Sequence, residues 1–302
     1  MKYKSSNIAV IIPSANFKNI KICLKSIKRQ TKKPGQTIIV FNKKKIFKKE
    51  KKTIFSYINK SNQVHQRNHA LNLINKNIKL ILQLDDKFYL HKKAIENLIS
   101  DWNKLPSNVA GIGIKSDFKY ENLNKFRLLK YITLTGSNQP GKVLISGFNN
   151  KLISNKKYPD VDWLQGGLSS WRLKHVSIIF NRKYPIVKWS ILEDLIFSYH
   201  IKFNKKFKLK MSNSSMAFVI KNDSQKFLAK EFYLRGYEYA KMQKVFININ
   251  KRKLSKIAFY YSYISSSLLG SLWCCLKIDK KIFFYFGRLL GIFANIKDIK
   301  VL

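Results

Sequence analysis

Between Asn7 and Ser14 the chain reads NIAVIIPS, an aliphatic run with no polar alternation, closed by Pro13. Such a run suits a strand covered on both faces. In the following NFKNIKICLKSIKRQT, Ile20, Cys23, Leu24 and Ile27 recur at helical spacing with basic residues opposite. A Pro-Gly turn then leads into Thr37–Phe41, a second strand of the same kind. Beyond the lysine-rich stretch Lys43–Lys52, HQRNHALNLINK predicts a helix through Ala70, Leu71 and Ile74. IKLILQL predicts a third buried strand, and HKKAIENLISDW the helix after it. Apolar strands alternating with amphipathic helices predict an α/β fold with a mostly parallel sheet and helices on both faces. Ligands in such folds bind beyond the carboxyl ends of the strands. Asn42, Asp85 and Asp86 fall at that edge.

The middle of the chain is less regular. VAGIGIKSD and GKVLISGFNN predict short strands, and WSILEDLIFSYHIKF predicts a helix with Leu192, Leu195, Ile196 and Tyr199 on one face. Glu193 and Asp194 stand near its start, where the helix dipole favours negative charge. From about Lys205 the chain turns to basic, aromatic helices. Ile257–Leu276 holds 20 residues without a charge, long enough to span a bilayer but rich in Ser, Tyr and Gly. KIFFYFGRLLGIF follows, interrupted by Arg288. Interfacial attachment, a span, and packing on the preceding domain all stay open for this region.

Charge narrows the partners. The 302 residues carry 59 basic and 16 acidic side chains, a net charge of +43. Abundant Lys, Asn, Ile and Phe together reflect AT-rich coding, but that bias does not explain the scarcity of acids. Only eight of the basic residues are arginine, and the lysines are spread over nearly every segment. Nucleic-acid readers instead lean on Arg and concentrate their charge. The expected partners are therefore an anionic membrane surface and phosphorylated ligands, with no nucleic acid expected. Three cysteines and five histidines show neither a disulfide framework nor metal-ligand spacing. The N-terminal apolar run is too short for a secretory signal, so the cytosol is the expected compartment.

Acidic residues gather in three places: Asp85–Asp86, Asp160 with Asp162, and Glu193–Asp194. The first could be a solvated strand-end turn, the last a helix start that complements its dipole. IAVIIPSANFKNIKICLKSIKRQT, TIIVFN, QRNHALNLI, LILQLDDKFYL, VDWLQGGLSSWR and LEDLIFSYHIK stand in order and rough spacing. Together they resemble bacterial family 2 glycosyltransferases of the cell-surface polysaccharide and lipopolysaccharide type. The resemblance covers about residues 7–225 and implies a GT-A fold. It also implies inverting transfer from a nucleotide-diphosphate-sugar to a glycan or lipid-linked acceptor. It places a catalytic domain at 1–225 and a membrane-proximal helical extension at 226–302, at the cytosolic face of the plasma membrane.

By the same resemblance, Asp86 is the ligand of a Mg²⁺ or Mn²⁺ ion and Asp85 reaches the donor ribose. Pro13, Ser14 and Asn42 line the nucleobase pocket, and Arg67 meets donor negative charge. Trp163, Gly166, Gly167 and Glu193 attend the donor sugar and acceptor, and Asp194 is the catalytic base. The chemistry is consistent: a diphosphate leaves poorly without a cation, and inversion needs a base opposite it.

Three positions depart from the family pattern. Asn42 replaces an aspartate, and Lys87 stands where acidic or neutral residues are usual. A histidine after the last strand is missing, with Ile220 and Lys221 in its region. The two lysines are candidates to hold the diphosphate. A catalytically degenerate homologue acting as a scaffold or lipid-binding module, and a basic nucleic-acid-binding protein, are the alternative readings.

Overall fold

The computed structural model describes residues 2–43, 52–59, 62–117, 127–152, 158–180, 191–220, 228–250 and 253–294. Lys221 and most of the lysine-rich stretch lie outside them. Among the described residues, one sheet holds β1 (Ile8–Ser14), β2 (Gln36–Phe41), β3 (Thr53–Tyr57), β4 (Leu80–Leu84) and β5 (Phe88–Leu90). It also holds β6 (Val109–Ser116), β7 (Asp160–Val161), β8 (Leu168–Arg172) and β9 (Lys208–Val219). The order is β3-β2-β1-β4-β8-β6-β9-β5, with β7 paired to β9. Pairing senses make β1, β2, β3, β4, β6 and β9 run one way and β5, β7 and β8 the other. The sheet is thus mostly parallel and flanked by helices, as expected.

Burial explains the unbroken apolar strands. Every residue of β1, β2 and β4 is buried. On one face Val10, Ile12, Leu82 and Leu84 pack with Ile20, Cys23 and Ile27 of α1 (Phe17–Lys28). α2 (Gln63–Leu71) also packs on β1 and β2, burying Val64, Gln66, Arg67 and Ala70. A strand covered on both faces has no solvent side for alternation to mark. Pro13 fits this central strand because pairing with β4 ends at Ile11–Gln83, and only β2 flanks it there.

One strand escapes the sequence pattern and one expected strand needs correction. β3 is a strand that the pattern does not reveal: TIFSY is only partly buried, as an edge strand beside β2 would be. GKVLISGFNN forms no strand, only an isolated bridge between Val143 and Asn149. Gly141 and Gly147 lie there in the left-handed region, which bends the backbone out of extension.

The remaining helices are α3 (Ala94–Lys104), α4 (Arg127–Ile132), α5 (Leu173–Phe180), α6 (Glu193–Tyr199), α7 (Ala229–Ile249), α8 (Lys256–Leu276) and α9 (Ile282–Gly291). The chain divides into two compact units. The first comprises Met1–Lys119, Ser154–Lys183 and Phe197–Asn222, and the second Tyr120–Ile153, Tyr184–Ile196 and Asp223–Leu302. The whole sheet lies in the first.

In the second unit α7 and α9 touch backbone to backbone. A Cβ on Gly236 would collide with the Phe284 carbonyl, and one on Gly287 with that of Tyr233. The α8 segment is helical as expected, but no helix among the described residues is long and apolar enough to cross a membrane.

Candidate active site

β1, β2 and β4 end side by side, and the first unit gathers most of the expected site residues at that edge. Ser14 is the last residue of β1, Asn42 follows β2, and Asp85–Asp86 follow β4. Gln66 of α2 caps the edge from below, its Nε2 donating to the Ser14 carbonyl at 3.1 Å and the Val40 carbonyl at 2.8 Å. A buried amide thus satisfies two carbonyls near the carboxyl ends of β1 and β2. Nothing in the sequence pattern marks Gln66 for this task.

The two adjacent aspartates live in different electrostatic surroundings. Asp85 Oδ1 accepts from Arg67 Nη2 at 3.0 Å, with both side chains nearly dry. Its Oδ2 lies 3.4 Å from Lys87 Nζ, which is half exposed. Two cations therefore compensate one carboxylate. The Asp85 backbone N–H donates to the Gly167 carbonyl at 2.9 Å, just beyond the β4–β8 pairing. A Cβ at Gly167 would collide with the Asp85 carboxylate, so this glycine seats the buried acid.

Asp86 has no cation among the described residues. Its Oδ2 accepts from Ser14 Oγ at 2.7 Å and from the backbone N–H groups of Asn16 at 3.2 Å and Ala15 at 3.3 Å. Asn16 caps α1, so Asp86 sits at a helix N-terminus whose dipole favours negative charge. Burial still raises its pKa above the ordinary carboxylate value; the Ser14 and Asn16 bonds oppose this, and the Asp85 charge adds to it. Oδ1 receives no hydrogen bond among the described residues. The arrangement is a fixed carboxylate with one oxygen held by neutral donors and the other available.

That donor set suits one kind of metal site. No group of three or more His, Cys, Asp or Glu side chains that could cage an ion occurs among the described residues. Mg²⁺ and Mn²⁺ need no such cage: one or two carboxylates suffice when substrate phosphates complete the shell. Asp86 fits this requirement. Asp85, already neutralised twice, fits it less well.

The other expected residues are distributed as follows. Trp163 is half buried, and Gly166 and Gly167 are buried in the turn before β8. Pro13 is buried within β1. Asp160 and Asp162 both meet Lys202 Nζ, at 2.5 and 2.9 Å, forming an ion cluster beside β9. Glu193 and Asp194 open α6 in the second unit, both half buried. Asp194 Oδ1 accepts from the Leu195 N–H at 2.8 Å, and its charge helps burial raise the Tyr239 phenol. Leu192 before them has φ 61°, a left-handed conformation costly for a leucine.

No protein-family model matches this sequence, and no curated protein sequence matches it. Solved structures do resemble the fold. S. aureus TarS aligns with 90% of this chain and 43% of its own, at 14% identity and a TM-score of 0.50. TarS 1–349 in complex with UDP-GlcNAc aligns with 82% of this chain and 66% of its own, at 15% identity and TM-score 0.51. Mannosyltransferase PcManGT from Pyrobaculum calidifontis, in complex with GDP-Man and Mn²⁺, aligns with 95% of this chain and 87% of its own. There the identity is 8% and the TM-score 0.53. The chain spans less than half the length of the full TarS structure. These likenesses are of fold, and the fold is of the GT-A type.

Proposed function

We propose that this chain is an inverting glycosyltransferase of family 2 type, moving a sugar from a nucleotide-diphosphate-sugar to a glycan or lipid-linked acceptor. The observation that carries this reading is Asp86: a half-buried carboxylate at the carboxyl edge of the parallel strands, uncompensated by any described cation, with one oxygen available. The solved structures similar in fold include complexes with UDP-GlcNAc and with GDP-Man and Mn²⁺, which supports a nucleotide-sugar donor here.

Asp86 would hold the divalent ion, whose charge would stabilise the departing diphosphate. Pro13, Ser14 and Asn42 would border the base, with an amide at Asn42 offering both donor and acceptor. Arg67 holds Asp85 in place for the ribose, and Lys87 adds positive charge beside the diphosphate. Trp163, Gly166, Gly167 and Glu193 would attend the sugar and acceptor. Asp194 would take the acceptor hydroxyl proton as the new glycosidic C–O bond forms and the bond to the diphosphate breaks. The reaction belongs to cell-surface polysaccharide or lipopolysaccharide assembly at the cytosolic face of the membrane. Residues 1–225 would form the catalytic part and 226–302 the membrane-proximal extension.

Donor hydrolysis and thermal stabilisation by UDP-, GDP- and dTDP-sugars, with Mn²⁺ or Mg²⁺, test this. Turnover is expected with one donor class and is lost in Asp86→Ala and Asp194→Ala. Unchanged turnover in both variants would refute the assignment. One observation favours a second reading, a non-catalytic homologue: Arg67 and Lys87 already neutralise Asp85. Donor binding without hydrolysis or transfer under any metal would establish it.

A further inference from the structure

The second unit contains a cavity of about 370 Å³ that the proposed chemistry does not use. Arg127, Lys130 and Lys151 line it with Tyr131, Ser137 and Asn138, and its lining includes no acidic residue. Among the described residues no carboxylate pairs with Arg127 or Lys130. The wall opposite α4 is held in shape by buried Asn150. Its Oδ1 accepts from the Ser137 N–H at 3.0 Å, and its Nδ2 donates to Ser137 Oγ and to the Gln139 carbonyl. A guanidinium and ammonium groups around a preformed polar wall suit a phosphate group.

The same helix has a second face. Leu128 and Ile132 of α4 are 74% and 55% exposed. Tyr261 of α8 donates its hydroxyl to the Ile132 carbonyl at 3.0 Å, which seats α8 beside α4. α8 buries three serines, Ser262, Ser267 and Ser271, beside Phe259, Tyr263 and Cys274. Ile257, Tyr261, Ile264, Leu268, Leu272 and Leu276 form one exposed stripe at helical spacing. α9 likewise exposes Phe283, Phe286 and Leu290. An apolar face this large on a chain of net charge +43 matches a surface that is apolar within and anionic outside. No described helix can cross a membrane, so the stripe would lie in the plane of the interface.

We infer that the second unit binds an anionic phospholipid, its phosphate in the Arg127–Lys130–Lys151 cavity and its chains beside the α4–α8 apolar face. This rests on the membrane-surface part of the proposed function and gives it a specific site.

Flotation of the full chain with phosphatidylglycerol or phosphatidylcholine vesicles tests it, in the presence and absence of glycerol phosphate. The chain is expected to float with phosphatidylglycerol only. Arg127→Glu/Lys130→Glu and Leu268→Ser/Leu272→Ser should each reduce the bound fraction about tenfold or more, two charge reversals removing several favourable headgroup interactions. All four positions are on the surface, and unchanged melting temperatures check that the variants fold. Lys21→Glu/Lys25→Glu, an equal charge reversal on exposed residues of α1, should change binding less than about twofold.

Equal loss in that control would mean diffuse attraction and overturn the site. Full competition by glycerol phosphate, with the leucine variant unaffected, would make it a soluble-anion site and overturn the lipid assignment. Self-association that the leucine variant abolishes, with vesicle binding unchanged, would assign the stripe to a second copy and overturn it too. Donor-induced thermal stabilisation should persist in every variant. Its absence from the unaltered chain would count against the transferase reading alone.

Discussion

The Arg67 guanidinium and the Asp85 carboxylate meet at 3.0 Å with side-chain exposures of 4% and 10%. A pair this dry is costly to break from one side, because the partner keeps its charge without water. The two sides are not equivalent. Removing Arg67 leaves Asp85 with Lys87 at 3.4 Å, whereas removing Asp85 leaves the buried guanidinium without its carboxylate. Asp85→Asn is therefore expected to cost about 3–5 kcal/mol and Arg67→Met less. The double variant should cost less than the sum, measured by chemical denaturation. Additive costs would mean the pair is not coupled.

Gly167→Ala places a methyl group into the Asp85 carboxylate. Overpacking of this kind costs about 1–3 kcal/mol. Because β8 pairs with β4 at Leu84–Leu168, the strain falls on the strand end that carries both acids. The variant should melt lower and bind donor more weakly, measured by thermal denaturation with and without donor; an unchanged melting temperature would mean that the Asp85 carboxylate moves aside at no cost.

Asp86→Asn should separate stability from function. Burial raises the Asp86 pKa, so ionisation at neutral pH opposes folding, and a neutral amide relieves that cost. The melting temperature is expected to hold or rise, while Mn²⁺-dependent donor binding drops at least about tenfold with the loss of the ligand charge. A clear fall in melting temperature would show that the charge stabilises the edge.

His175 predicts an acid sensitivity of the first unit. Burial, aided by the charges of Lys174 and Arg172, pushes it down from 6.5 to about 4. Its Nε2 is buried without a hydrogen-bond partner among the described residues, and its ring lies 3.9 Å from that of Phe207. Between those two values the unfolded chain binds a proton that the folded chain does not, so stability falls as pH drops from about 6.5 toward 4. The pH dependence of the melting temperature should be shallower in His175→Leu over that window. Identical slopes would exclude His175 as a contributor.

What the sequence reveals about this molecule follows from how local each determinant is. β1, β2 and β4 are plain because burial on both faces leaves continuous apolar runs, and Asp85 and Asp86 are plain because they end one. β3 is hidden because an edge strand that is only partly buried has no such run. The task of Gly167 is invisible because it depends on β8 lying against β4, a pairing across more than eighty residues of chain. Gln66 is invisible for the same reason: its partners, Ser14 and Val40, belong to two earlier strands. Asp85 and Asp86 look alike in the sequence and differ only in what the fold brings to them.

The outward face of α8 means that Leu268, Leu272 and Leu276, each more than half exposed, add less to folding in water than buried leucines would. Against an apolar medium each would contribute up to about 1.5–3 kcal/mol. The second unit then draws part of its stability from outside the chain, and how firmly it is folded becomes a property of where it is.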